Sequence, residues 1–381
     1  MPPKGRTARE EKKEDHSALV PEVVRVEVSR HEITAEDVPE LQELFRIDRL
    51  PLAQAQVTIE LKGIPTAVVN AIRRAVTDEM PGRALQVPPG GFDTKLTTDQ
   101  FMLPHFVNMR IALLPLRTQI PTSVVDQLRL RLNVTNTGAS PLSVYAGDLE
   151  VVEGRMTEPL FNPTTKLAFL QPGKSIVIND ISIATGYGFD NAAFIVARRA
   201  MFKHLDIPEY TDEEMRLDGG PATDLSGYKI SCMRAYPQHH VLKAILPATT
   251  DNPAASRAVF ADACSNIKGR LRLISTTIDR HSDAPSARKG IQYTEVELES
   301  GLMEGILQIP NETHTIGELL RRTIFDIAPD LASIEYEIVS HENRLVLTVR
   351  HTENVTRIIQ RAVHHAINTF DIIQKGITAA R

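Results

Sequence analysis

Two short segments far apart in the chain repeat one another, and this repeat limits the folds that the chain can adopt. Ala71 to Pro81 reads AIRRAVTDEMP, and Leu319 to Pro329 reads LLRRTIFDIAP. Each segment has apolar residues at helical spacing, a twin arginine, an aspartate and a closing proline in the same register. Because proline cannot continue a helix, both segments are predicted to be short amphipathic helices that end before the proline. A chain that carries this helix twice is predicted to contain two related folding units.

The same order of elements surrounds both repeats. Strand-like alternation, as in VVRVEVSRHEI and AQVTIELKGI, precedes the first helix, and IQYTEVELES and EGILQIP precede the second. Further strands follow each helix, namely YKISCMRAY and HHVLKAIL in the first half and IEYEIVS and RLVLTVRH in the second. A long helix with an apolar stripe closes each half. The stripes are Phe260, Ala263, Ile267, Leu271 and Ile274, and Val355, Ile359, Ala362, Ala366, Phe370 and Ile373.

This order predicts an α+β fold in which the two halves pack on each other. One small sheet covers only one face of a helix layer, so neither half can bury its long helix easily alone. We therefore expect a pseudo-twofold dimer within one polypeptide. The first half is interrupted by a segment with PPGG, many Thr and Asn residues and short strand candidates, which predicts an inserted strand-rich domain. The predicted domains are a disordered arm (1–20), a first module (21–82 and 223–275), the inserted domain (83–222), a linker (276–290) and a second module (291–381).

Composition excludes several classes of protein. The formal net charge of -5 and the pI near 6.2 disfavour a protein that mainly coats phosphate backbones. No apolar run is long enough to span a bilayer, so no membrane contact is predicted. The cysteines, Cys232 and Cys264, lie far apart without a CxxC partner, which predicts neither a zinc cluster nor a disulfide framework. The acidic stretch at 34–51 is interpreted as an excursion between two strands.

The twin arginines lie off the apolar stripes of their helices and are predicted to point at least partly outward. A solvated helix face is the ordinary interpretation of one such pair. Its repetition, at the same offset from Asp78 and from Asp326, favours a binding role, because guanidinium groups suit bidentate contacts with the carboxylates of a partner.

These segments resemble a known family. NAIRRAVTDEMP resembles the NALRR-type helix of the alpha family of DNA-directed RNA polymerase subunits, which includes bacterial alpha, archaeal D and the third-largest eukaryotic subunit. DQFMLPHFVNMRIALLPL resembles the signature that follows this helix, and VYAGDLEVVEG and LQPGKSIVI resemble the inserted domain. NETHTIGELLRRTIF is similar to the DHTLGNLLR motif of the small partner subunit, archaeal L and its eukaryotic counterpart. The resemblance covers most of the chain after about residue 21. The presence of both partners in one polypeptide is similar to the fused arrangement of large nucleocytoplasmic DNA viruses.

The resemblance implies two alpha-type dimerisation modules in a non-catalytic subunit that assembles a multisubunit RNA polymerase. The active site would lie in other subunits, and the partners would be the largest, second-largest and small polymerase subunits. DNA would be contacted only through the complex, and no membrane or small-molecule substrate is expected. The virion and the host cytoplasm are the implied location, with the host nucleus as the alternative. By matched motif, Asn70, Arg73 and Arg74 would contact the second-largest subunit, and Arg321 and Arg322 the largest. The predicted partner-binding residues are Asn70, Arg73, Arg74, His105, Arg110, His314, Thr315, Gly317, Arg321 and Arg322.

No metal site or cofactor is predicted. Many relatives carry four cysteines in the inserted domain, whereas the corresponding segment here has none. The tripeptide GKS at 173–175 lacks the leading glycine of a phosphate loop, and the pairs His239 with His240 and His364 with His365 are interpreted as solvated or packed side chains. No acidic cluster of the kind that holds two magnesium ions, and no nucleophile elbow, is present in the sequence.

Two other classes of function stay open at this point. An independent nucleic-acid-binding protein would use basic residues of the predicted insert, and the acidic pI argues against it. The basic residues of that nucleic-acid-binding surface would be Arg117, Arg129, Arg131, Arg198, Arg199 and Lys203. A stand-alone enzyme, the second class, would use the inserted domain as a pocket.

Overall fold

A computed structural model describes ten ranges of the chain with helices and antiparallel sheets, an α+β architecture. The described residues are 20–33, 52–88, 104–116, 120, 122–154, 160–197, 199–205, 238–247, 253–278 and 290–380. The predicted N-terminal arm up to residue 19, the acidic stretch at 34–51 and the YKISCMRAY segment lie outside them. None of the helices in the described ranges has the length and apolar character that crossing a membrane requires.

The first half builds a four-stranded antiparallel sheet. Its strands are β1 (Glu22–Ile33), β2 (Leu52–Lys62), β9 (Arg199–His204) and β10 (His239–Pro247), in the order β1-β2-β10-β9. Alternation in β2 buries Val57, Ile59 and Leu61 on one face, as the period of a half-buried strand requires.

Two helices cover this sheet. Helix α1 (Thr66–Arg74) starts after Pro65 and ends in a π turn (Ala75–Glu79), after which Pro81 begins the next strand. The long helix α4 (Pro253–Ile278) follows β10. All five residues of its predicted stripe are buried.

The second half repeats this arrangement. Its strands are β11 (Gln292–Glu297), β12 (Met303–Pro310), β13 (Ser333–Val339) and β14 (Arg344–His351), in the order β11-β12-β14-β13. Helix α5 (His314–Ile327) lies between β12 and β13, and α6 (Val355–Ala379) follows β14. Each half therefore has its four strands in the order first, second, fourth, third.

The strand order corrects one predicted boundary. Strand β9 lies within the range 83–222 that was assigned to the inserted domain, but it pairs with β10 and completes the first sheet. The sequence RAMFKH alternates like any half-buried strand, and alternation alone does not say which sheet a strand joins. The described residues of the separate module thus end before β9.

The inserted module has its own core. Its elements are β3 (Pro81–Gln86), α2 (Pro104–Ala112), α3 (Thr122–Gln127), β4 (Arg129–Thr135), β5 (Leu142–Tyr145), β6 (Leu149–Glu153), β7 (Lys166–Leu170) and β8 (Ser175–Tyr187). The strands form one four-stranded sheet, β3-β8-β4-β6, and one strand pair, β5-β7. A second buried cluster fills the space between these strands and the two short helices. Helix α2 was not predicted, because its flanking prolines favour loops.

Buried residues of both halves form one continuous hydrophobic cluster. Helix α4 packs along α6, α1 packs on α5, and each long helix also contacts an edge strand of the other half, α6 on β1 and α4 on β11. Polar contacts join the long helices at their boundary: Lys268 of α4 contacts Asp371 and Gln374 of α6, and Gln374 donates to the Ser265 hydroxyl at 2.7 Å. The hydrogen bond from Lys268 holds the pKa of Asp371 below its usual value.

A candidate partner-docking site on the paired helices

Helix α1 presents its two arginines in different directions. Val68, Val69 and Ile72 face the core, which leaves Arg73 and Arg74 on the other side. The Arg73 side chain is partly exposed, and its Nε donates to the Asn70 Oδ1 at 2.9 Å. Arg74 turns toward the second half of the chain, where its Nε donates to the Thr315 hydroxyl at 2.6 Å.

A buried carboxylate, Glu79, connects the two halves. It is only 6% exposed, and it lies in the π turn that ends α1. Its Oε1 accepts hydrogen bonds from the hydroxyls of Thr313 at 2.8 Å and Thr315 at 2.6 Å, and its Oε2 accepts from Arg270 Nη1 at 2.7 Å. Arg74 Nη2 lies 3.1 Å from the same Oε1. One side chain thus joins α1, α4 and the start of α5.

The electrostatics of this network keep Glu79 ionised. Burial by itself raises the pKa of Glu79, but the positive charge of Arg270 and the hydrogen bonds from Thr315, Arg270 and Thr313 outweigh it, so the pKa lies below its usual value. Arg270 also holds Glu312, whose Oε1 accepts from its Nε at 3.0 Å. Burial lowers the pKa of Arg270, and its two carboxylate neighbours more than reverse this effect.

Helix α5 carries its arginines in ion pairs on its own surface. Arg321 donates to both carboxylate oxygens of Glu318, at 2.8 and 2.6 Å. Arg322 Nη2 lies 2.8 Å from Asp326 Oδ1, and its guanidinium lies 5.7 Å from the centre of the Phe325 ring. Partial burial raises the pKa of Asp326, and Arg322 opposes this rise.

The predicted residues at the start of α5 lie at the junction of the halves. His314 is exposed and its ring meets Tyr336 edge-on at 5.8 Å, whereas Thr315 is buried in the Glu79 network. A Cβ added to Gly317 would lie 2.6 Å from atoms of Leu345 and Tyr336, so this helix position requires glycine for close packing on the sheet. Thr315 and Gly317 therefore support the helix from within.

The remaining two predicted residues lie on α2 of the inserted module. His105 is exposed beside Phe106, with ring centres 5.7 Å apart. Arg110 is also exposed, and its Nη1 donates to the Leu167 carbonyl oxygen at 3.3 Å. Both side chains are outside the Glu79 network, so the structure groups eight of the ten predicted residues on α1 and α5 and leaves these two apart.

Comparison with known proteins decides the family. The chain is 33% identical over 341 residues to the DNA-directed RNA polymerase RPB3-11 homolog of African swine fever virus strain Badajoz 1971 Vero-adapted, covering 88% of this chain and 91% of that protein. The homologs of the Pretoriuskop Pr4/1996 and Malawi Lil 20-1/1983 isolates are 33% and 32% identical, with the same coverage. A scan against models of protein families gave no match. The chain belongs to the RPB3-11 family of DNA-directed RNA polymerase subunits.

Membership of the RPB3-11 family confirms the resemblance that the motifs indicated. The relatives are viral proteins named for both the third-largest and the small partner subunit, which matches the fused, alpha-like arrangement predicted from the two twin-arginine helices. The chain is therefore a subunit of a DNA-directed RNA polymerase and acts in transcription.

The other candidate functions find less support in the geometry. Of the predicted nucleic-acid patch, Arg117 and Arg198 lie outside the described residues, and the others divide between β4 of the inserted module and β9 of the first sheet. Arg131 on β4 is also paired with Glu150 at 2.7 Å. These basic side chains do not form one stripe on a single element.

The structure does contain a cavity of about 620 Å³ between the inserted module and the first half. Most of its lining residues are apolar and come from β3, the segment at 113–116 and residues 192–196, and its polar groups include Arg83 and Asp262. The Arg83 guanidinium is used in a hydrogen bond to the Ile120 carbonyl oxygen. No nucleophile with an adjacent base lines this cavity among the described residues.

The two histidines of the first pair, His239 and His240, make different contacts. His240 is fully buried, with its Nδ1 2.8 Å from His204 Nδ1 and its Nε2 2.8 Å from the Ile64 carbonyl oxygen. His239 Nε2 lies 2.8 Å from Glu60 Oε1. In the described part of the chain, no group of three or more His, Cys, Asp or Glu side chains is arranged to hold a metal ion.

Sequence reasoning missed the central residue of the junction. The repeat drew attention to Asp78 and Asp326, which occur in both helices, whereas the connecting carboxylate is the next residue, Glu79. The signal was present in the alignment of the two repeats, because Ile327 occupies the position that corresponds to Glu79. An apolar counterpart indicates a position that faces the interior.

Proposed function

We propose that this chain is the non-catalytic assembly platform of its polymerase, an intrachain pseudo-dimer of alpha-type modules on which the two largest subunits dock. One observation supports this most directly. The halves share a core and a strand order, and each retains one twin-arginine helix with at least one partly exposed guanidinium. A platform with two related helices suits two related docking events.

The chemistry of the exposed arginines fits docking by a protein partner. Guanidinium forks make bidentate contacts with carboxylates, and arginine is enriched among residues that dominate binding energy. We assign the surface of Asn70 and Arg73 to the second-largest subunit and the surface of Arg321 and Arg322 to the largest. Catalysis is assigned to those larger subunits, with small subunits as further partners and DNA contacted only through the complex. As the sequence resemblance implies, we propose the virion and the host cytoplasm as its location, with the host nucleus as the alternative.

The structure sharpens the choice of variant for a test. Arg74 is tied to Glu79 and Thr315, so replacing it would disturb the junction as well as the surface. Arg73→Ala removes a guanidinium that, among the described residues, is hydrogen-bonded only to Asn70 on the same helix. Arg131→Ala on β4 is the matched control, because it removes a surface arginine of the inserted module.

The assay is recovery of the second-largest subunit with the tagged full-length chain. We expect Arg73→Ala to lower its affinity at least about fivefold, since loss of an interface hot spot costs more than about 1 kcal/mol. Arg131→Ala should leave recovery unchanged. Undiminished recovery with Arg73→Ala would refute the site. If Arg131→Ala instead weakened binding to duplex DNA with a steep salt dependence, the nucleic-acid alternative would gain support.

A further inference from the structure

The two twin-arginine helices are related by sequence but differ in how their charges are paired. Aligning the closing prolines matches three charged positions of the two helices and leaves two positions at which only one helix carries a carboxylate. The matched positions are Arg73 with Arg321, Arg74 with Arg322 and Asp78 with Asp326, and the unmatched positions are Asn70 with Glu318 and Glu79 with Ile327.

The residue at the first unmatched position determines whether the first arginine of the pair forms an ion pair on its own helix. On α5, Glu318 holds Arg321 in a bidentate ion pair one turn away. On α1, the equivalent residue is Asn70, whose amide oxygen accepts one hydrogen bond from Arg73 but brings no charge. Within the described ranges, Arg73 forms no ion pair, so its positive charge stays available at the surface.

The residue at the second unmatched position determines which carboxylate pairs with the second arginine of each helix. On α1, Glu79 draws Arg74 inward, which leaves Asp78 without an ion pair among the described residues. On α5, the counterpart of Glu79 is Ile327, which has no charge, and Arg322 pairs with Asp326 on the surface. Two residue differences thus leave two uncompensated charges of opposite sign on α1 and two surface ion pairs on α5.

We propose that this difference in charge pairing determines which large subunit docks on which helix. The α1 surface takes a protein segment that presents a carboxylate to Arg73 and a cationic group to Asp78, which is the second-largest subunit under the function proposed above. The same segment placed on α5 would bring its carboxylate against Glu318. Like charges at an interface suppress a wrong partner and lower the rate of encounter.

The proposal rests on the proposed function, and position 70 provides its test. Asn70→Glu copies the α5 arrangement onto α1 by giving Arg73 a carboxylate on its own helix. Asn368→Glu makes the same change at an exposed residue of α6 and is the matched control. Asp78→Asn removes the second uncompensated charge and serves as an independent variant if Asn70→Glu fails to fold, which thermal unfolding of each full-length chain would reveal.

Each full-length variant is titrated separately with the largest and with the second-largest subunit at low and high salt. For Asn70→Glu and for Asp78→Asn, we expect affinity for the second-largest subunit to fall about three- to tenfold at about 0.1 M salt, with affinity for the largest unchanged. The loss should shrink at about 1 M salt, where the screening length falls from about 10 Å to about 3 Å. Asn368→Glu should bind both subunits as wild type does.

The possible outcomes separate the inference from the proposed function. Wild-type affinity and salt dependence in both α1 variants would overturn the inference, while a loss of binding in Arg73→Ala would still support the platform. An equal loss of both large subunits would also overturn the inference, because the charges would then not discriminate. If the wild-type chain bound neither large subunit, the proposed function and the inference would fail together.

Discussion

Replacement of Glu79 by glutamine is expected to destabilise the junction between the halves more than any surface charge change. Removing one partner of a buried ion pair costs about 3–5 kcal/mol, because the other partner is left without compensation. Here Arg270 keeps Glu312, and the Arg74 side chain is 31% exposed, so water offsets part of the loss. We therefore expect Glu79→Gln to lower the free energy of unfolding by about 3 kcal/mol, the low end of that range.

The effect should depend on pH in one direction. The pKa of Glu79 in the folded protein lies below its ordinary value of 4.5, so its ionised form stabilises the fold at any pH above that value. This contribution is lost as pH falls through the lower, folded pKa. The difference in stability between wild type and Glu79→Gln should thus be constant near neutral pH and shrink in acid.

Urea unfolding followed by circular dichroism at pH 7 and at a series of acidic pH values measures both effects. In thermal unfolding, a loss of about 3 kcal/mol corresponds to a decrease of about 6–12 °C in the midpoint for a folding unit of about 150–250 residues. Glu342→Gln is the control, since Glu342 pairs with Arg344 at 3.1 Å with both side chains well exposed, and it should change stability by less than about 0.5 kcal/mol. A Glu79→Gln protein as stable as this control at pH 7 would refute the reasoning.

Two further changes test other parts of the structure. In Gly82→Ala, the new Cβ would lie 1.8 Å from the Phe194 carbonyl oxygen. We expect this change to destabilise the contact between the inserted module and the segment at 192–194 by about 3 kcal/mol, or to displace that segment. A thermal midpoint equal to that of wild type would contradict this packing. The thiol of Cys264 is buried, and burial raises its pKa to about 12. In a Cys232→Ser chain, Cys264 should therefore react with a thiol reagent at pH 8 only when the protein unfolds. Rapid labelling of Cys264 in the native protein would show that α4 is not packed as described.

Much of the fold could be predicted because helix and strand periods were strong where one face of an element is buried. Every residue of the two predicted stripes, from Phe260 on α4 to Ile373 on α6, is buried in the shared cluster. The third strand of the first sheet could not be assigned in this way. The RAMFKH alternation identifies a strand, but its partner β10 is set by the chain path, which a local period does not contain.

The site could be predicted in part, for a related reason. The repeat located α1 and α5 and the four arginines, but it gave Arg73 and Arg74 the same role. The two side chains point in different directions because Arg74 forms a hydrogen bond with Thr315, a residue more than two hundred positions away in the sequence. Helical periodicity indicates which side of a helix faces inward, but it carries no information about which residues of other elements pack against that side.

The continuous core has a consequence for how the protein is made. Because residues of both halves fill one cluster, the first sheet is fully covered only after α6 has been synthesised and has packed on α4. A product of interrupted translation would therefore keep apolar surface exposed to chaperones and proteases. Joining the halves covalently also fixes their ratio at one to one and gives the second half a high effective concentration near the first.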